Sequence, residues 1–167
     1  MDELIDTCDK QILIWRDKIQ EELDDLLRFP PCHRHLMDKL KDFHQVAGYD
    51  KSVFIMTKFL DGNTQIDQEL QQLITAVEQA VTQCGFTPRI ASQKAYFPEL
   101  FKNVELHLLG SSQGVAIVED VYKPELNPNV AVEWGWMRGM GKRVRYFQEQ
   151  GFQHQRADWN RPDRRQI

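Results

Sequence analysis

Apolar residues spaced by four and three open the chain: Leu4, Cys8, Ile12, Trp15, Ile19, Leu23 and Leu26, with acids and lysines between them. That period predicts one long amphipathic helix over 2–27. Phe29-Pro30-Pro31 breaks it, because proline removes a helical donor and crowds the preceding turn. A second helix follows with Leu36, Leu40, Phe43 and Ala47 on one face and Gly48 as its stop. Residues 1–50 therefore read as a helical hairpin, serving as a cap or a dimerisation element.

From Lys51 the pattern changes. Ser52-Val53-Phe54-Ile55-Met56 is a short, nearly continuous apolar run, which suits a strand buried on both faces. Beyond a loop at 58–63, Thr64 and Asp67 resemble a capping box. The helix they open carries Ile66, Leu70, Leu73, Val77, Val81 and Cys84, and Gly85 ends it. Residues 87–91 form a second strand, placed at an edge by Pro88. Pro98 then starts a helix with Leu100, Phe101, Val104 and Leu108 inward and Gly110 at its end. A third strand covers 114–120, Asn127 caps a helix with Pro128 in its first position, and a last strand lies near 144–147. Alternating strands and helices predict an α/β fold, a parallel flavodoxin-like (Rossmann-like) sheet with helices on both faces. Right-handed crossovers give the strand order 2-1-3-4. This domain spans 51–160, followed by a polar tail at 161–167.

Composition narrows the partners. The chain has 167 residues and a net charge of −4, so it has no general electrostatic attraction to nucleic acid or an anionic membrane. No apolar run approaches the roughly 20 residues of a membrane span. The acidic start Met1-Asp2-Glu3-Leu4 does not read as a signal peptide. Cys8, Cys32 and Cys84 are too few and too irregular for a disulfide framework, which points to a reduced, cytoplasmic protein. Cys32-His33-x-His35, with His44 beyond, matches no standard zinc spacing, so no metal is expected.

In such a sheet, ligands bind where the strand order reverses, here between the loops 58–64 and 119–127. No G-x-G-x-x-G or Walker A motif is present, and no serine or cysteine sits in a nucleophile elbow. What remains is a carboxylate, Glu133, on the Asn127 helix, one turn from Asn129 on the same face. A carboxylate beside a sugar stabilises an oxocarbenium-like transition state or attacks the anomeric carbon. A cationic leaving group such as nicotinamide needs no protonation, whereas a neutral base generally does. The residues placed to meet the ligand are Thr57, Phe59 and Asp61 after the first strand and Glu119 and Asp120 after the third. Asn127, Asn129 and Trp136 join them on the helix. Trp134 and Trp136 also read as packing residues, and Gly135 and Gly139 as sites of close helix approach.

Several segments resemble a known group. They are Phe54-Ile55-Met56 with Phe59, Glu99-Leu100-Phe101-Lys102-Asn103-Val104, Gly114-Val115-Ala116-Ile117, Asn127-Pro128-Asn129-Val130-x-x-Glu133-x-Gly135 and Gly141-Lys142. Together they look like the prokaryotic TIR-like nucleotide-binding proteins of bacterial signalling and defence, which are similar in turn to the nucleoside 2-deoxyribosyltransferases. The resemblance implies an often homo-oligomeric domain that cleaves or exchanges an N-glycosidic bond. For TIR-type members it implies NAD+ as substrate, no required cofactor, and Glu133 as the catalytic glutamate. For the deoxyribosyltransferases it implies Glu133 as nucleophile, with a neighbouring subunit completing the pocket. Arg156-Ala157-Asp158-Trp159 resembles the group's segment after the last matched strand. One departure stands out: Ser92-Gln93 occupies a place where related sequences often carry acids. That departure leaves room for a nucleotide-sensing, self-associating domain without turnover.

Overall fold

A computed structural model describes residues 2–28, 31–60, 65–119 and 127–148. Helix α1 is Asp2–Arg28, and a 3-10 segment Pro31–Leu36 leads into α2, Met37–His44. A short 3-10 turn, Tyr49–Lys51, precedes β1, Ser52–Met56. Then follow α3 (Gln65–Gln83), β2 (Thr87–Arg89), α4 (Leu100–Gly110), β3 (Gln113–Val118), α5 (Pro128–Gly139) and β4 (Arg143–Gln148). The chain divides into two compact units, residues 1–38 and 39–167. Leu40 and Phe43 of α2 are buried residues of the larger unit.

In the smaller unit, α1 carries its apolar stripe in the open: Ile12, Trp15, Ile19 and Leu23 are all exposed. In the larger unit, β2-β1-β3-β4 form one parallel sheet. Val53 pairs with Gln113, and Gln113 with Arg143, so β1 and β3 are the central strands. Their side chains alternate between two cores. Phe54, Met56, Ala116 and Val118 pack with Val104 and Leu108 of α4 and Val130 and Met137 of α5. Val53, Ile55, Val115 and Ile117 pack with Leu70 and Ile74 of α3 on the other face. The architecture is an α/β, flavodoxin-like one with helices on both faces of the sheet.

Several local expectations shift. The inward residue of α3 is Ile74, while Leu73 is exposed, because Leu70, Ile74, Val77 and Val81 make the stripe that meets the sheet. Leu100 and Phe101 of α4 are exposed; its buried run is Asn103 to Gly110, where the helix passes under α2. Pro98 lies just outside α4, whose N-cap is Glu99. Gly48 does not stop α2, which ends at His44; its φ of −61° is ordinary extended backbone at the start of the Tyr49 turn. Gly85 and Gly141 do hold positive φ, 79° and 72°, and end α3 and α5. Among the described residues Gly135 and Gly139 face open space, so neither brings α5 close to the sheet. No helix among the described residues is long and apolar enough to cross a membrane. The Thr64 cap and the tail segment at 156–160 lie outside the described residues.

Candidate active site

The site begins with the cap of α5. Asn127 Oδ1 accepts from the backbone N–H of Asn129 at 2.9 Å and of Val130 at 3.5 Å, and Pro128 takes the first helical turn. This start is strong because two orphan donors are satisfied and no N–H is wasted. It fixes which residues of α5 face the sheet: Val130 and Met137 enter the core, and Glu133 lies between them with only 8% of its surface exposed. The Glu133 carboxyl has no hydrogen bond or ion pair among the described residues. Burial alone pushes its pKa from 4.5 to about 7.

Two cavities meet at this carboxyl. One is an open cleft of about 280 Å3 between α4 and α5. Phe59, Phe101 and Trp136 supply its aromatic walls, with Leu100 and Val132 beside them and Asn129 at its polar edge. Phe101 and Trp136 stack, with ring centroids 6.0 Å apart and 30° between planes. The other cavity is a small recess at the carboxyl end of β1, lined by Phe54, Ile55, Thr57, Phe59, Ile90, Ala91, Ser92 and Glu133. Glu133 and Phe59 are common to both.

The structure thus brings Thr57, Phe59, Asn129 and Trp136 together around Glu133. Asn127 serves the helix start. Glu119 ends β3 across the switch point and pairs with Lys58 at 2.5 Å, an ion pair that is largely buried on both sides. Asp61 and Asp120 lie outside the described residues. Among the described residues no cluster of His, Cys, Asp or Glu could hold a metal. His35 Nδ1 instead meets Cys32 O at 3.0 Å, and His44 Nε2 meets Gly110 O at 3.0 Å.

Two contributors were not legible as site residues. Leu100 and Phe101 carry the expected helical spacing of core, yet they wall the cleft from the exposed first turn of α4. Ser92 reaches the recess, while Gln93 turns away to donate to Glu78 Oε1 at 2.9 Å. Ser92 is held there by Asn103, whose Nδ2 donates to Ala91 O at 2.7 Å and Lys94 O at 3.2 Å. Tyr96 N–H closes the clamp on Asn103 Oδ1 at 2.8 Å. Behind the clamp, Arg89 donates to Tyr96 Oη at 2.6 Å and sits 3.6 Å over the Phe43 ring. On α4, buried Asn103 also meets buried His107, through Asn103 O and His107 Nδ1 at 2.7 Å.

No family model and no curated protein matches the chain. Among solved structures, it is similar to a chain described as a 2-desoxiribosyltransferase from Leishmania mexicana. The two are 15% identical with a TM-score of 0.46, and the match covers 59% of this chain and 64% of that one. The matched region therefore spans less than two thirds of that protein's length.

Proposed function

We propose that the chain binds a nucleoside with its base in the aromatic cleft and breaks or exchanges the N-glycosidic bond at Glu133. The observation that carries this reading is the position of a buried carboxyl where a base-sized apolar cleft meets a small recess that Thr57 and Ser92 help to line. Aromatic side chains such as Phe101 and Trp136 stack on any base, each contributing about 1–3 kcal/mol. The sugar then lies over Glu133, whose ionised carboxylate attacks the anomeric carbon and releases the base. A second base can accept the sugar, which makes the reaction a glycosyl transfer.

No lysine or arginine lines the cleft among the described residues, and Lys58 is engaged by Glu119. An uncharged nucleoside fits that lining better than a pyrophosphate, so deoxyribosyl transfer stands first. One observation favours NAD+ hydrolysis of the TIR-like kind as a second reading. Neither cavity offers Glu133 a second carboxylate among the described residues, and cationic nicotinamide leaves without an acid.

The test is to incubate concentrated protein with a 2′-deoxynucleoside plus a free acceptor base, and separately with NAD+, and to separate products by chromatography. Exchanged nucleoside is expected, reduced on the order of a hundredfold or more in Glu133→Gln. Nicotinamide release alone would move the second reading to first place. Equal traces from both proteins in both reactions would refute the assignment.

A further inference from the structure

Helix α1 is 27 residues long, nearly four heptads, and its side chains Ile12, Trp15, Ile19 and Leu23 are all exposed. Ile5, Ile12, Ile19 and Leu26 recur every seven residues, with Cys8, Trp15 and Glu22 three places after the first three. That is the a/d spacing of a coiled coil, whose narrow seam fits the seam of a second helix. Leu13 and Ile14 lie off the seam, and a single partner helix leaves them uncovered. An anionic membrane surface is a poor partner, because α1 holds nine acids against four bases. The segments that resemble a known family begin at Phe54, so α1 lies outside them.

We propose that α1 pairs with α1 of a second copy, antiparallel, about a twofold axis between Leu13 and Ile14. Charge and register together select this arrangement over the parallel one. A parallel pair matches each d layer with itself, which sets Glu22 against Glu22 of the second copy inside the seam. Its flanking contacts join Gln11 to Arg16 and Lys18 to Leu23, and neither is a pair of opposite charges. In the antiparallel pair each a residue meets a d residue. Ile12 meets Trp15, Ile19 meets Cys8, and Glu22 meets Ile5 towards the end of the seam. The e positions face one another, so Asp9 lies beside Arg16 of the second copy, and the twofold repeats the contact. Both side chains are exposed. Within one copy, Arg16 meets its neighbour Asp17 at 3.0 Å, an exposed pair of the kind that contributes little and exchanges readily.

Sedimentation equilibrium of the full chain measures the association. Wild type should sediment at twice the mass of Trp15→Glu, whose dimerisation should be at least about a hundredfold weaker. Asp9→Lys should weaken pairing about tenfold by setting a lysine beside Arg16, and adding Arg16→Glu should restore it. Register is read by mild oxidation of chains in which Cys32→Ser and Cys84→Ser leave Cys8 as the remaining thiol. Antiparallel pairing holds the two Cys8 residues about 16 Å apart along the axis, beyond disulfide reach, so no cross-link should form. Ile19→Cys should add a thiol opposite Cys8 and give a covalent dimer. If Trp15→Glu loses the urea transition of the larger unit, the charge swap and the cross-link decide instead. Equal masses for wild type and a folded Trp15→Glu, whether monomer or oligomer, overturn the pairing. A Cys8–Cys8 cross-link, or an Arg16→Glu that fails to rescue Asp9→Lys, overturns the antiparallel register.

Discussion

Glu133 gathers most of the site chemistry into one side chain. Its carboxyl binds a proton more tightly in the folded chain than in the unfolded one, with a pKa of about 7 against 4.5. Acid therefore favours folding across this window. The ionisation penalty is absent below about 4.5, grows as pH rises, and is full above about 7, where it amounts to roughly 3 kcal/mol. Glu133→Gln should be more stable than wild type by up to that amount at pH 8 and nearly equal to it at pH 4.5, read by chemical denaturation. A stability difference independent of pH would rule out this account of the carboxyl. Activity runs the other way, because the nucleophile must be ionised. On the transfer reading, kcat/KM should rise with pH through an inflection near 7. His107 shows the opposite shift: burial lowers it to about 4, which keeps the ring neutral against Asn103 O. Glu133 was legible from the Asn127 cap and the spacing of α5; its burial was not, since most glutamates on a helix are exposed.

At the scale of elements, α4 holds the cleft open from one side and anchors the core from the other. Its last turn is closed by Lys142, whose Nζ donates to the carbonyls of Leu108, Leu109 and Ser111 at 2.6, 3.1 and 2.7 Å. These are the orphan acceptors of a helix end, satisfied by a cation that also suits the negative pole of the helix. Lys142→Met should destabilise the chain by about 1–3 kcal/mol, measured by urea unfolding. A loss within error would show that water replaces the ammonium freely. Gly110, in the same turn, is where α2 crosses. A Cβ there would meet the Phe43 ring at 2.8 Å and Leu40 at 3.1 Å. Gly110→Ala should cost about 1–3 kcal/mol through overpacking, despite the better helix propensity of alanine. A neutral substitution would mean that α2 shifts without cost. The sequence marks Gly110 only as a plausible helix end. Its role as a contact surface depends on Leu40 and Phe43 of α2, a helix far earlier in the chain.

The whole molecule has a core in its larger unit and an exposed long helix in its smaller one. The larger unit has its own buried core in β1, β3, α3, α4 and α5, so its fold is expected to survive removal of residues 2–28. The truncated chain should keep a cooperative thermal transition within a few degrees of the full chain. A collapse of that transition would show that α1 supports the fold. Hydrophobic period and punctuation determined the order of elements, the parallel sheet and its 2-1-3-4 sequence, because these follow from local residue chemistry and the handedness of crossovers. The same signals picked out the capped helix and its glutamate. Tertiary structure alone decided that Leu100 and Phe101 wall a cleft, that Ser92 and Thr57 share a recess, and that Lys58 closes on Glu119. Each of these joins residues from different elements, and no pattern along one element records what the neighbouring element presents to it.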